Sequence, residues 1–235
     1  ATPSPTPTPT AVPTPTATPT ASPMPTPTPT ARSVVTATGF ESGSLDAWTV
    51  AEVGETGFGE WAVTGENPFE GELAAHYRGD RERVLVSTDG LERYPSRGDV
   101  FTLRRTYTAP RSGGSFGFGV QSGTFDRGYR VHVRHADWAE HANTATLVVR
   151  TADGERVLDR AAYEVAAYAG RYLRWTVRWG DPTVSVSAVD ENGDRILRLA
   201  ADEDTFDGGG VAIGGNSSEG TDVYYDALRV RPGDA

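Results

Sequence analysis

The sequence predicts an all-β protein: an antiparallel β-sandwich behind an unfolded, Pro/Thr-rich tether. Three observations predict it. Residues 1–31 hold 11 of the 16 Pro and 11 Thr, with no charged residue, no aromatic and no Gly. Residues 32–235 alternate apolar and polar side chains in run after run, the period of a strand with one buried face. Short Gly/Asn/Asp/Pro clusters separate those runs at hairpin spacing.

The tether comes first. Each Pro fixes φ and removes a backbone donor, so neither a helix nor a ladder can form. The segment has no apolar surface to bury and is expected to stay unfolded, biased to polyproline II. At about 3.1 Å per residue it reaches on the order of 90 Å. Its Thr hydroxyls are candidate O-glycan acceptors. No basic stretch followed by an apolar one opens the chain, as a signal peptide would. The tether is therefore expected to join the folded part to a preceding anchor, catalytic domain or cleaved leader.

Residues 32–235 form the predicted folded domain. Val100–Arg104, Gly128–Arg134, Thr144–Arg150, Leu173–Trp179 and Val184–Ala188 each alternate with period 2. Turn signals stand at Ala152-Asp153-Gly154, Gly180-Asp181-Pro182, Glu191–Asp194 and Gly208–Gly210. One face of each strand is apolar, so Trp175, Val177 and Trp179 are predicted core. Only Ala161–Ala169 reads as helical, for one or two turns.

The charge balance excludes several functions. With 22 basic and 32 acidic residues the net charge is −10. Every basic residue is Arg, and there is neither Lys nor Cys. Disulfides and thiolate metal sites are ruled out. An acidic domain repels phosphate, so nucleic acid is not an expected partner. No apolar run is long enough for a membrane helix.

Two stretches carry a resemblance. The first is Gly39-Phe40-Glu41-Ser42-Gly43-Ser44-Leu45-Asp46-Ala47-Trp48 with Asn67-Pro68-Phe69-Glu70-Gly71-Glu72-Leu73. The second runs from Tyr172 to the closing Val223-Tyr224-Tyr225-Asp226-Ala227-Leu228-Arg229-Val230. In this order they resemble the concanavalin A-like lectin/glucanase superfamily, in particular laminin-G-like jelly rolls. Galactose-binding-like jelly rolls share the opening and the final Asp. The resemblance implies a jelly-roll sandwich whose first and last strands adjoin. It also implies a structural Ca²⁺ held by Glu41, Gly71 and Asp226. The chemistry is consistent, since Ca²⁺ takes hard carboxylate and carbonyl oxygens. The alternative for Asp226 is a backbone cap or an Arg partner.

Catalysis finds little support in the residues. The paired-acid spacing of jelly-roll glucanases, E-x-D-x-E or E-x-D-x-x-E, does not occur within an apolar strand. The motifs of jelly-roll lyases are absent too, and one of them needs a Lys. No catalytic residue is assigned. Arg130, His132 and Arg134 share one strand face at about 6.5–7 Å spacing. Arg forks suit carboxylates or sulfates. Trp138 sits in a polar stretch where its ring suits the apolar face of a pyranose. These four residues are the candidate glycan site. His132, His135 and His141 match no zinc spacing. Asn216-Ser217-Ser218 is an N-glycosylation sequon. The expectation is an extracellular, non-catalytic carbohydrate-binding module, tethered to another domain or to the cell surface. A structural or adhesive module and a polysaccharide-degrading enzyme are the alternatives.

Overall fold

The structure is a computed structural model that describes residues 36–53, 58–80, 82–108, 113–134, 143–215 and 221–233. The tether, Trp138 and the Asn216 sequon lie outside the described residues.

Fifteen strands make up nearly all the regular structure among the described residues. The first five are β1 (Thr36–Thr38), β2 (Thr49–Val53), β3 (Gly59–Thr64), β4 (Ala74–Gly79) and β5 (Glu82–Ser87). Then come β6 (Asp99–Tyr107), β7 (Gly114–Val120), β8 (Gly128–Arg134), β9 (Thr144–Thr151) and β10 (Gly154–Ala162). The last five are β11 (Leu173–Trp179), β12 (Thr183–Val189), β13 (Arg195–Asp202), β14 (Gly210–Gly215) and β15 (Thr221–Pro232). They build two antiparallel sheets. One has eight strands in the order β13-β12-β11-β6-β15-β4-β3, with β1 also on β15. The other has seven, in the order β10-β9-β8-β7-β14-β5-β2. Thr38 pairs with Leu228 and Thr36 with Val230, so the first strand lies beside the last, as the resemblance implied.

Alternation places the core. Along β11, Leu173, Trp175, Val177 and Trp179 are buried while Arg174 and Arg178 are exposed. Phe116 meets Trp175 edge-on at 5.3 Å. Phe118 meets Trp179 at the same distance. Offset and edge-to-face aromatic contacts of this kind lock two sheets in register beyond their area burial.

The central strands of the seven-stranded sheet behave differently: both faces of β7 are buried. Phe116 and Phe118 fill the sandwich. On the other face, the loop between β7 and β8 folds back so that Phe125, at φ +54°, lies on the sheet. Phe125 joins Ala51, Val84, Val86, Val120 and Ala212 in a second apolar cluster. Gly117 makes this possible, because a Cβ there would stand 2.3 Å from the Phe125 ring.

The helical expectation for Ala161–Ala169 holds only in part. Ala161 and Ala162 extend β10, paired with Ala145 and Thr144. Val165–Tyr168 then forms a single 3₁₀ turn. The ladder to β9 offers both backbone partners at once, which outweighs a weak local preference.

Candidate functional site

Strand β8 carries Arg130, His132 and Arg134 on the face turned away from the sandwich; Tyr129, Val131 and Val133 fill the core side. The three share a face as the alternation predicted. They are not equally open. Arg134 is half-buried, but Arg130 is 2% and His132 7% exposed.

Arg130 is held from three sides. Its guanidinium is ion-paired with Glu82 and donates to Ser115 Oγ at 2.9 Å. The ring of Phe125 sits 5.3 Å from the guanidinium carbon. Burial pulls its pKa down to about 10, against the attraction of Glu155. It therefore stays a cation at neutral pH. Its partners on β5, β7 and the β7–β8 loop carry no local sequence signal, because only strand pairing brings them to β8.

His132 lies 3.6 Å from Glu155 across the same face, an ion-pair distance but longer than a hydrogen bond. Among the described residues, neither His132 Nε2 nor Arg130 Nε has a hydrogen-bond partner. Burial, and then the Arg130 charge, push the His132 pKa down to about 4, although Glu155 pulls the other way. Between about pH 4 and 6.5 the unfolded chain then binds a proton that the folded chain excludes. Stability therefore rises with pH through this window and is lost on acidification, by about 3 kcal/mol once below it. Glu155, held below the usual carboxylate range by His132 first, adds a loss of the same sign at lower pH. Urea midpoints measured from pH 7 to pH 4 should fall steeply for the natural chain and much less for His132→Gln. Parallel profiles for the two chains would contradict this assignment.

The second set of predicted residues comes together at the junction of the first and last segments. Asp226 is fully buried. Its Oδ2 accepts the backbone N–H groups of Phe69 at 2.8 Å and Glu70 at 3.0 Å. Its Oδ1 accepts that of Ala227 at 2.6 Å. Glu41 accepts the N–H groups of Glu72 and Leu73 at 3.1–3.2 Å. A Cβ at Gly71 would lie 2.3 Å from Glu41 Oε1, and one at Gly39 would lie 3.4 Å from Asp226 Oδ1. Phe40, Asn67, Gly71 and Ala227 all have positive φ, so the three segments turn sharply around these two carboxylates. Non-glycine residues adopt that backbone only where their surroundings impose it. Burial pushes the Asp226 carboxyl above the usual carboxylate value, against its backbone donors. The backbone-capping alternative for Asp226 is thus realised. Among the described residues, no three acidic or His side chains converge closely enough to hold a metal by themselves.

The sequence matches no family model and no curated protein. Its fold is nonetheless shared with solved structures. Carbohydrate binding module CBM66 from Bacillus subtilis superposes with TM-score 0.55 at 13% identity, over 79% of this chain and 95% of that one. The VIP36 exoplasmic/lumenal domain, in its Ca²⁺/Man3GlcNAc-bound form, superposes with TM-score 0.55 at 8% identity, over 83% and 87%. Cellulose induced protein Cip1 gives 0.56 at 15% identity, over 85% and 99%. The domain is a concanavalin A-like jelly-roll β-sandwich. Its structural neighbours include carbohydrate-binding modules and lectins.

Proposed function

We propose that this chain is an extracellular, non-catalytic carbohydrate-binding module that takes polysaccharide or cell-surface glycan on the outer face of the seven-stranded sheet. The observation that carries this reading is His132 Nε2, buried on the same face as Arg134 and without a hydrogen-bond partner among the described residues. Buried polar groups are nearly always satisfied, and a sugar hydroxyl both donates and accepts. Glu155 and Arg134 border it with further polar groups. Arg130 is sealed beneath Phe125, so its part is to position His132 and fix the floor. His132, Glu155 and Arg134 face the ligand, and Trp138 supplies a stacking surface. Two structural neighbours, a carbohydrate binding module and a Man3GlcNAc-bound lumenal domain, support the class of ligand.

A glycan array tests the reading. The full chain should be retained on at least one glycan, and Trp138→Ala or Arg134→Ala should weaken retention about tenfold or more. Self-association with no retention on any glycan would favour a structural module instead.

A structural Ca²⁺ fits the opening-and-closing junction. Glu41 and Asp226 supply carboxylate oxygens, and the Gly71 carbonyl lies on the same turn. The glycine at 71 lets the Glu41 carboxylate lie against this turn, since a Cβ there would stand 2.3 Å from Glu41 Oε1. With two carboxylates, the remaining ligands would be carbonyls or water, an ordinary set for this cation. Bound there, the ion would brace the first and last segments. Residues 1–31 would carry the module at a distance from its partner.

A further inference from the structure

We propose that the outer face of the eight-stranded sheet carries a second site, an arginine-lined groove that binds an acidic polysaccharide. It goes beyond the sugar surface described above, uses different residues on the other sheet, and stands or falls separately.

The groove encloses about 250 Å³ and is lined chiefly by Thr102, Arg104, Arg174, Arg229 and Arg231. Register explains the gathering. Arg174 on β11 pairs directly with Arg104 on β6. Thr102, two residues earlier, pairs with Arg229 on β15. Like charges opposite one another destabilise a ladder, so this arrangement costs stability unless something anionic occupies it. Only one of the four cations is neutralised among the described residues: Arg229, by Glu70 at 2.5 Å. Arg104 is held below the usual guanidinium value by burial and then by the Arg174 and Arg229 charges. In a chain of net charge −10, four arginines converging with two carboxylates, Glu70 on Arg229 and Asp226 across from Arg104, is a local reversal of sign.

The surroundings point to a sugar rather than to protein or lipid. The face beside the groove is built of hydroxyls, with Thr176 and Ser187 in line with Thr102, while Leu103 and Ala227 complete the groove lining. At one end Phe69 is 41% exposed. It is braced edge-on by Tyr172 at 5.3 Å and by the Arg104 guanidinium at 4.1 Å. An exposed ring beside rigid cationic forks suits a pyranose bearing a carboxylate or sulfate. From Arg174 to Arg231 the strand geometry spans about 16 Å, the reach of a short oligosaccharide rather than of a single ion.

Binding of the full chain to polygalacturonate, a carrageenan, a neutral β-glucan and duplex DNA tests this. The chain should bind polygalacturonate or carrageenan, and the arm that responds distinguishes carboxylate from sulfate. Binding should weaken as salt rises. Arg174→Ala combined with Arg231→Ala should weaken it about tenfold or more. Both side chains are exposed, so the thermal midpoint of the double variant should match that of the natural chain. Trp138→Ala should leave acidic-polymer binding intact. Three results would each overturn the proposal: no binding to either acidic polymer, equal binding by the double variant, or equal binding of duplex DNA. Retention on a neutral glycan that Trp138→Ala abolishes, without acidic-polymer binding, would refute the groove and leave the earlier reading standing.

Discussion

Arg130→Ala lowers the stability of the folded domain by about 3–5 kcal/mol and its thermal midpoint by about 10 °C. The reason is the charge left behind. Arg130 is the cation that Glu82 faces, and it donates to Ser115 Oγ. Truncation removes both interactions and strands a carboxylate that is only 17% exposed. It also empties the space under Phe125, whose ring rests on Gly117 and covers the guanidinium. A cavity and an unpaired charge both destabilise. A double substitution separates the two effects. Arg130→Met with Glu82→Leu removes both charges and offers apolar groups to the neighbouring cluster of Val84, Val86 and Ala212. Replacing both partners of a buried pair is often close to neutral. The double variant should therefore recover most of the loss. If the single variant costs under about 1 kcal/mol, or if the double variant loses the sum of its parts, the pair does not organise this face.

This pair also shows where sequence reading runs out. The alternation in Gly128–Arg134 assigns Arg130, His132 and Arg134 correctly to one face, because the strand period dictates that much. It says nothing of what lies over the face. Arg130 is buried because Gly117 carries no side chain, so a seven-residue loop can lay Phe125 on the sheet over the guanidinium. That is a tertiary event with no local period. Trp175 and Trp179 are simpler: large apolar groups on an alternating strand have one place to go, and they are 0% and 1% exposed. The convergence of Glu41, Gly71 and Asp226 could be anticipated only through the order of motifs, since 185 residues separate the two acids in the chain. The arginine groove was half visible. Arg104 and Arg174 stand at outward positions of recognisable strands, but their meeting depends on the β6–β11 register, which no short segment encodes.

The same junction of chain ends carries the second large effect. Asp226→Ala should cost about 3–5 kcal/mol, because two strong acceptors vanish and the N–H groups of Phe69 and Glu70 lose their charged partner. Asp226→Asn keeps the shape and one acceptor oxygen, so it should cost less. Calcium divides the capping role from the metal role. If Glu41, the Gly71 carbonyl and Asp226 hold Ca²⁺, adding the ion should raise the thermal midpoint of the natural chain. The gain at a hundredfold excess over Kd is about 2.7 kcal/mol, several degrees for a domain of this size. Asp226→Asn and Glu41→Gln should each lose that response, because the site depends on both charges. A midpoint that ignores Ca²⁺ and chelator in the natural chain would reduce the cluster to a carboxylate–amide clasp. The loss in Asp226→Ala would remain, since it rests on the hydrogen bonds alone. The clasp would still matter for binding. It fixes the 69–70 turn, and that turn sets both the Phe69 ring against Arg104 and Glu70 against Arg229. Loosening it should therefore weaken acidic-polymer binding at the groove while sparing the outer face of the opposite sheet.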